Sequence, residues 1–171
     1  MHTHITIART ASLFSLQLIK CHLRIHHSDH DELLTYLTTV ATDWVEEILG
    51  KSLLKETRQV THNNNCFCLP YGPVTKVLNV KYSNKVLDPD QYSVVSKGDT
   101  LEVSVPFRWK SPEIVITYES GYGENPEDVP SVVRHAVLGT IEYLYENKGD
   151  IRALNHQTAP WLNALRSYRI V

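Results

Sequence analysis

The sequence is poor in the features that mark membrane, secreted and fibrous proteins. It has no uninterrupted apolar run of about 18 residues, the length that a membrane-spanning helix needs, so we expect no membrane partner. Three cysteines are too few and too unevenly spaced for a disulfide framework, which indicates a reducing compartment. The mildly apolar stretch 11–19 lacks a small-residue cleavage site, so no signal peptide is predicted. With 42% hydrophobic and 21% charged residues, the 171-residue chain resembles a globular domain rather than a disordered or collagen-like one.

A large excess of charge of either sign is also missing. Seventeen Lys and Arg against nineteen Asp and Glu give a net charge of −2, which disfavours a protein that coats nucleic acid. The charge is unevenly placed, because residues 1–27 and 151–171 each carry +3 and no acid, and residues 28–150 therefore carry −8. Basic ends and an acidic body suit neighbouring subunits that meet through opposite patches. The same distribution also fits unselected scatter.

Sequence motifs of the common enzyme classes are absent. The chain has no P-loop, no G-x-G-x-x-G, no G-x-S-x-G and no H-E-x-x-H. Ser52 and Lys55 have the S-x-x-K spacing of penicillin-binding proteins, but the S-D-N and K-T-G motifs that complete that site do not occur. We therefore predict that the protein is not an enzyme and binds no cofactor.

Three groups of potential metal ligands are better explained as loops and a helix start. The four histidines between residues 22 and 30 straddle a break between helices, whereas a metal site needs its ligands on one face. His62, Cys66 and Cys68 lack the distant second pair of ligands that a typical zinc site has. The acidic group at 124–128 comes just before a predicted helix, where negative charge is favourable. No metal site is predicted.

Hydrophobic periodicity predicts both long and short helices. Apolar residues at three- and four-residue steps indicate long helices at 31–49 and 130–147. Short helices are expected at 15–23 and 159–168. The two long helices are expected to share one core that contains Leu37, Trp44, Val137 and Leu144.

The period changes to that of β-strands in the middle of the chain. This places the sequence in the α+β class, as a small helical bundle of two long and two short helices with an inserted antiparallel β module. The expected organisation is an N-terminal arm (1–14), a helical core formed by two segments (15–56 and 120–171) and the β module (57–119). Five runs rich in β-branched and aromatic residues are separated by turn signals and indicate strands: 57–61, 74–82, 92–95, 101–105 and 113–118.

Several stretches carry a combined signature in a fixed order. Residues 18–25 contain a lysine–x–x–leucine–arginine–isoleucine pattern, 69–77 a proline–valine turn before a strand, and 162–169 a terminal leucine–x–x–tyrosine–arginine pattern. The most diagnostic piece runs from Tyr118 through the glycine-rich turn and a proline-started helix to Tyr145. Shorter matching stretches are 31–34, 41–46 and 49–53. Together these stretches resemble the head–tail connector, or head-completion adaptor, proteins of tailed bacteriophages, over residues 15–171.

The resemblance implies a structural virion protein at the head–tail junction, synthesised in the host cytoplasm. Such proteins form a homo-oligomeric ring, generally of twelve subunits, that docks below the portal protein. The ring continues the DNA channel, so that double-stranded DNA passes through it without sequence-specific binding. It also receives the tail or the next completion (stopper) protein. A ring of this kind needs heterologous interfaces, in which one face meets a different face on the neighbour.

Two segments are candidates for these contacts. The turn between 63 and 71, with Asn64, Phe67 and Tyr71, is expected to be a loop that touches a neighbouring subunit or the tail component, because loops on a rigid scaffold carry function. A family-like turn into the second long helix contains Gly121, Tyr122, Gly123 and Pro130.

The C-terminal segment 150–171 is the third candidate. It carries no residue with an acidic side chain after Asp150 and is dense in aromatic, apolar and basic side chains, the types enriched at binding hot spots. Because the family's C-terminal segment reaches the portal, the resemblance implies portal docking by Trp161, Arg166, Tyr168 and Arg169. The alternative is a C-terminal helix that completes its own subunit's core.

A small β-barrel that binds nucleic acid is the competing function. Its aromatic side chains would stack on single-stranded bases. The candidates are Tyr71, Tyr82, Tyr92 and Trp109. The neighbouring lysines at 76, 81 and 85 are offset by acids at 88, 90, 99 and 102, which weakens this alternative.

Overall fold

The computed structural model describes residues 2–7, 11–83, 85–106, 113–151 and 154, and it confirms the α+β class. Two 3₁₀ turns, Pro89–Gln91 and Pro126–Asp128, accompany the regular elements. The helices are α1 (Leu16–Leu23), α2 (Asp31–Leu49) and α3 (Ser131–Glu146). The strands are β1 (His2–Ile7), β2 (Glu56–His62), β3 (Cys66–Cys68), β4 (Val74–Tyr82), β5 (Lys85–Val86), β6 (Ser93–Lys97), β7 (Thr100–Ser104) and β8 (Ile114–Ser120).

The helix count differs from the prediction. The described residues contain one short and two long helices, not two of each. The predicted fourth helix at 159–168 lies outside the part of the chain that the structure describes. None of the described helices is long and apolar enough to cross a membrane.

Local capping interactions set the helix starts. Ser15 caps α1, because its Oγ accepts a 3.3 Å hydrogen bond from the Leu18 N–H. His30 occupies the cap position of α2 without a side-chain hydrogen bond. Asp31 in the first turn of α2 instead forms a 2.7 Å ion pair with Lys20 of α1. The short α1 is thereby tied to the start of α2.

The helical core forms where α2 packs against α3. Leu37, Val137 and Leu144 are buried, as the periodicity predicts. Trp44 is only half-buried, although it was expected to lie inside the same core. The fully buried positions of α2 run along one face of the helix and include Leu34, Leu37, Ala41, Val45 and Leu49.

The strands form two antiparallel sheets rather than one. The first has the order β1-β2-β8-β4-β5, and the second has the order β3-β7-β6. Alternate side chains of β8 are buried, from Ile114 to Ser120, because this central strand turns one face to the core. The buried β core includes Val60, Val80, Val103, Ile116 and Tyr118.

The chain divides into two compact units. One contains Met1–Thr10 with Leu54–Tyr122, and the other contains Ala11–Leu53 with Gly123–Val171. Strand β1 lies in the segment that was expected to be an N-terminal arm, and it pairs antiparallel with β2. The β unit is thus built from two separate pieces of the chain, as is the helical unit.

Candidate functional site

The bend between β2 and β3, residues 63–65, forms the tip of the predicted contact loop. Asn64 is exposed at this tip. The ring of His62 stacks on that of Phe67, with centroids 4.3 Å apart and ring planes 12° apart. Nδ1 of His62 also accepts a 2.9 Å hydrogen bond from the Asn64 N–H. The tip is therefore an ordered loop, with Asn64 held by the histidine that precedes it.

The protonation state of His62 matters for this loop. Burial lowers the pKa of its imidazole from the ordinary value, which favours the neutral ring. In the neutral ring Nδ1 accepts the Asn64 N–H, and the proton sits on Nε2. From the sequence, His62 is considered only as a metal ligand and this role is missed, because Phe67 meets the His62 ring only once the chain bends between β2 and β3.

Tyr71 lies away from the exposed tip, in a turn that is fixed by buried groups. The guanidinium carbon of Arg58 lies 3.9 Å from the centroid of the Tyr71 ring. Nε and Nη2 of Arg58 each lie 2.7 Å from Oε1 of Glu56, and both side chains are buried. The Tyr118 hydroxyl donates a 2.9 Å hydrogen bond to the Pro70 carbonyl, and burial raises the pKa of Tyr118. The structure thus brings Asn64 and Phe67 together, because both contact His62. Tyr71 lies apart from them and forms a cation–π contact with Arg58.

Gly72 permits this turn to approach the β6–β7 turn closely. A Cβ atom at Gly72 would lie 2.5 Å from the carbonyl oxygen of Asp99. The N–H of Val74 donates a 2.9 Å hydrogen bond to the same oxygen. The peptide bond between Gly72 and Pro73 is cis. Residues 70–73 are therefore fixed on both sides within the β unit.

The family-like turn is also built on close backbone contacts. Gly121 has a φ of +119°, and a Cβ atom there would overlap the backbone of Leu54. Its N–H donates a 2.9 Å hydrogen bond to the carbonyl of Pro73. A Cβ atom at Gly123 would overlap the carboxylate of Asp128. At Gly121 the neighbouring backbone leaves no room for a side chain, whereas at Gly123 the space is taken by the side chain of Asp128.

The approach to α3 contains the acidic group noted in the sequence. The backbone N–H of Asn125 donates a 2.9 Å hydrogen bond to Asp128, which closes a capping box around the 3₁₀ turn. Pro130 occupies the cap position directly before α3, so the helix begins at Ser131, one residue later than expected. Tyr122 is half-buried. Asp128 therefore organises the turn into the helix.

The β3 strand exposes two cysteines beside a charged pair. Cys66 and Cys68 are both exposed. Sγ of Cys68 lies 3.9 Å from Oε2 of Glu102, and Nζ of Lys97 lies 2.6 Å from the same oxygen. The hydrogen bond from Lys97 lowers the pKa of Glu102, and the same bond raises the pKa of Lys97. Among the described residues, no group of three or more potential ligands is arranged to hold a metal ion.

Two histidines of the helical unit join the α1–α2 region to α3. Nδ1 of His30 lies 2.7 Å from the hydroxyl of Tyr145. Nε2 of His22 lies 3.3 Å from Oε2 of Glu142. These histidines fasten helices to one another, which accounts for part of the histidine cluster without a metal.

The sequence profile of a family described as "Head completion protein" matches residues 12–153 of the chain. The chain belongs to the head completion protein family. This match covers most of the chain and confirms the family predicted from the sequence. No curated protein matches the chain significantly.

Three solved chains to which this head completion protein is similar come from gene transfer agent (GTA) particles. A chain of the virion of a native GTA particle has a TM-score of 0.79 and 15% identity over 100% of this chain and 98% of that one. A chain of the neck of an empty particle, computed with C6 symmetry, has a TM-score of 0.79 and 16% identity with the same coverage. A chain of the neck of the native particle, computed with C12 symmetry, has a TM-score of 0.74 and 15% identity, again over 100% and 98%. The fold is thus shared over the full length.

Aromatic residues of this head completion protein do not form an exposed stacking platform in the described residues. Tyr82 and Tyr92 are half-buried and pack against the β core. Tyr71 is covered by Arg58. Trp109 lies outside the described residues. The nucleic-acid alternative therefore receives no support from these side chains.

The predicted portal-docking residues lie beyond the last described residue, Leu154. These are Trp161, Arg166, Tyr168 and Arg169.

Proposed function

We propose that this head completion protein is a subunit of a ring at the head–tail junction of a phage-like virion. The ring docks below the portal protein, continues the DNA channel and receives the tail or a stopper protein. The family match over residues 12–153 carries the proposal. Its support is the shared fold with chains of GTA particle necks, for which structures were computed with C6 and C12 symmetry.

The charge distribution supports contacts between unlike faces. Residues 1–27 and 151–171 are basic, and residues 28–150 carry a charge of −8. A ring closes through heterologous interfaces, so that complementary patches on different parts of one chain favour it. An acidic body also repels the phosphate backbone, which lets DNA slide through a channel rather than bind to its wall.

Within the domain organisation predicted above, the β module (57–119) supplies the contact loop. We assign the direct contact to Asn64, because it is exposed at a tip that the His62–Phe67 stack holds in place. Phe67 supports the tip by stacking on His62. Tyr71 supports the loop through its contact with Arg58. The occupant of this contact is a neighbouring subunit or the tail component.

The C-terminal segment supplies the contact to the portal. Trp161 and Tyr168 offer aromatic anchors, and Arg166 and Arg169 offer positive charge for an acidic portal rim. Electrostatic docking of this kind weakens as salt rises. The helical core (15–56 and 120–171) then carries the docking segment, and the β module carries the tip.

A truncation after Asn155 tests the portal contact. A second variant, the full-length chain with Arg166→Gln and Arg169→Gln, removes charge but keeps every apolar side chain, and it separates the electrostatic part of binding from the rest. The wild-type chain is the control. Purified portal is mixed with each protein at low and high salt, and binding is measured by sedimentation. We expect the truncated chain to be folded and unable to bind, and the charge variant to bind more weakly with less dependence on salt. Unchanged affinity of the truncated chain would place the docking site elsewhere.

A further inference from the structure

Strand β6 is an edge strand without the usual protection against pairing. It is the terminal strand of the sheet β3-β7-β6, and all five of its residues are exposed. It contains no proline, and its pairing with β7 runs without a bulge from Ser93 to Lys97. Its single charge, on Lys97, is held by Glu102 at 2.6 Å. Proteins ordinarily block such edges with charge, proline or bulges, because an open edge binds another strand.

The register identifies the backbone groups that face outward. Gly98 and Asp99 form a two-residue turn, so Lys97 and Thr100 are a hydrogen-bonded pair. Hydrogen-bonded and non-hydrogen-bonded positions alternate along the strand, which turns the N–H groups of Val94 and Ser96 away from β7. No described residue forms a loop or turn hydrogen bond with either backbone group.

The side chains of this edge are also those of a strand interface. Val94 is 40% exposed and Val95 is 52% exposed, on opposite faces of the strand. β-branched side chains on both faces favour a neighbouring strand that covers them. Backbone N–H and C=O groups in a row along a strand edge form hydrogen bonds with an extended segment. We therefore expect another β-strand to bind at this edge.

The chain itself offers one matching strand. β1 is the terminal strand of the other sheet, separated from β4 by β2 and β8, and its outer side has no partner among the described residues. It has six residues against the five of β6, and it contains no Asp, Glu, Lys or Arg. The remaining edge strands, β3 and β5, have only three and two residues.

We propose that β6 of one copy pairs with β1 of the next copy, which continues a β-sheet from subunit to subunit. Because the two edges differ, the contact is heterologous, which is the kind of contact that a closed ring of identical subunits uses. This inference rests on the proposed ring function, and it assigns the contact between neighbouring subunits to these two strands.

Two proline variants test the pairing. Val94→Pro and Ser96→Pro each remove an outward N–H without removing a hydrogen bond to β7, a position at which edge strands accept proline. The matched control is Val94→Thr, which keeps both the N–H and the β-branched shape. Ring formation of the full chain, alone and with purified portal, is measured by mass photometry over a concentration series, and circular dichroism reports folding. We expect each proline to raise the concentration for half-assembly about tenfold or more, and threonine to change it less than about threefold.

Hydrogen exchange on the wild-type chain gives a second measurement that does not depend on a variant's folding. We expect the amides of Val94 and Ser96, and those of β1, to exchange quickly in dilute monomer and slowly in rings. The Val95 amide, which faces β7, serves as the internal control and is protected in both. Protection of β6 without protection of β1, or a closed dimer, would overturn the assigned pairing.

The outcomes separate this inference from the proposed function. Rings that form normally from the folded proline variants overturn the pairing and leave the ring intact. A wild-type chain that never forms a ring, alone or on the portal, overturns both.

Discussion

At the scale of single residues, glycines at close contacts are the most constrained positions. Gly121 combines a φ of +119° with backbone of Leu54 where a Cβ atom would sit. Gly139 in α3 is the opposite case, because nothing lies within 4 Å of its Cβ position. The sequence predicts a turn at Gly121 and a helix at Gly139, but it does not show which atoms surround either residue.

Gly121→Ala is expected to destabilise the protein by about 2–4 kcal/mol or more, because the added atom meets backbone in a conformation that alanine rarely adopts. Gly139→Ala is the matched control and is expected to stabilise α3 by about 0.5–1 kcal/mol. Urea denaturation measures both free energies of unfolding. A neutral Gly121→Ala would contradict the close contact with Leu54.

The hydrogen bond between His62 and the Asn64 N–H is expected to depend on pH. Its pKa is lowered in the folded protein, so its contribution to stability is present above the unfolded value of about 6.5 and is lost as pH falls through the folded pKa. Protonation also places a proton on Nδ1, which then no longer accepts the Asn64 N–H. Exchange of the Asn64 amide, followed by NMR, should accelerate below about pH 6.5 relative to neighbouring amides after correction for intrinsic rates. Protection that persists unchanged at pH 4 would contradict this role.

The buried ion pair predicts a large loss when one partner is removed. Glu56→Gln leaves the Arg58 charge buried beneath Tyr71 with a weaker acceptor, and the expected cost is about 3–5 kcal/mol. Lys55→Gln is the control, because Lys55 is exposed and its 3.8 Å pair with Glu119 is worth at most about 1 kcal/mol. Thermal unfolding followed by circular dichroism compares the two. Equal costs would show that burial does not strengthen the Glu56 contact.

At the scale of elements, two adjacent leucines of α2 differ in burial although they are the same residue type. Leu34 is fully buried, whereas Leu33 is 45% exposed. Leu34→Ala is expected to cost about 2–5 kcal/mol through lost burial and the cavity left behind, and Leu33→Ala less than about 1.5 kcal/mol. Chemical denaturation of the two variants checks this assignment. A larger cost at Leu33 would mean that the core face of α2 is misplaced.

Elements with a clear apolar period were predictable from the sequence, including the short helix α1, whereas β1, β3 and β5 were not. The spacing of apolar residues placed α2 at 31–49, where the structure has it. The three residues of β3 are too few to show a period, and β1 lies in a segment with no recognised family pattern. The half-buried position of Trp44 also escaped prediction, because periodicity gives the side of a helix but not how far the core extends.

The candidate site shows the same limit. Turn signals located the bend at 63–65 and the glycine-rich turn at 121–123, but the predicted loop 63–71 also contains strand β3. The contacts that define them were not readable, because Arg58 meets Tyr71, and Tyr118 meets Pro70, only after strands distant in sequence pair. Sequence patterns mark where a loop occurs, whereas tertiary packing decides which of its residues are exposed.

At the scale of the whole molecule, family membership and charge distribution point to the same assembly. The family match spans 12–153, and the fold is shared with chains of GTA particles over the whole chain. Two compact units give one subunit two kinds of surface, a β unit with open edges and a helical unit that leads to the basic C-terminal segment. Subunits of a closed ring contact one another through two different surfaces, and a ring that binds different partners at its two ends needs a further surface for each of them.

The most direct test of the central claim is imaging of the purified chain mixed with the purified portal protein of the same particle. We expect class averages of a ring with the portal's axis, six- or twelve-fold symmetry and an open central channel, bound to one end of the portal. A chain that stays monomeric in the presence of portal, with no added density at either end, would contradict the connector function.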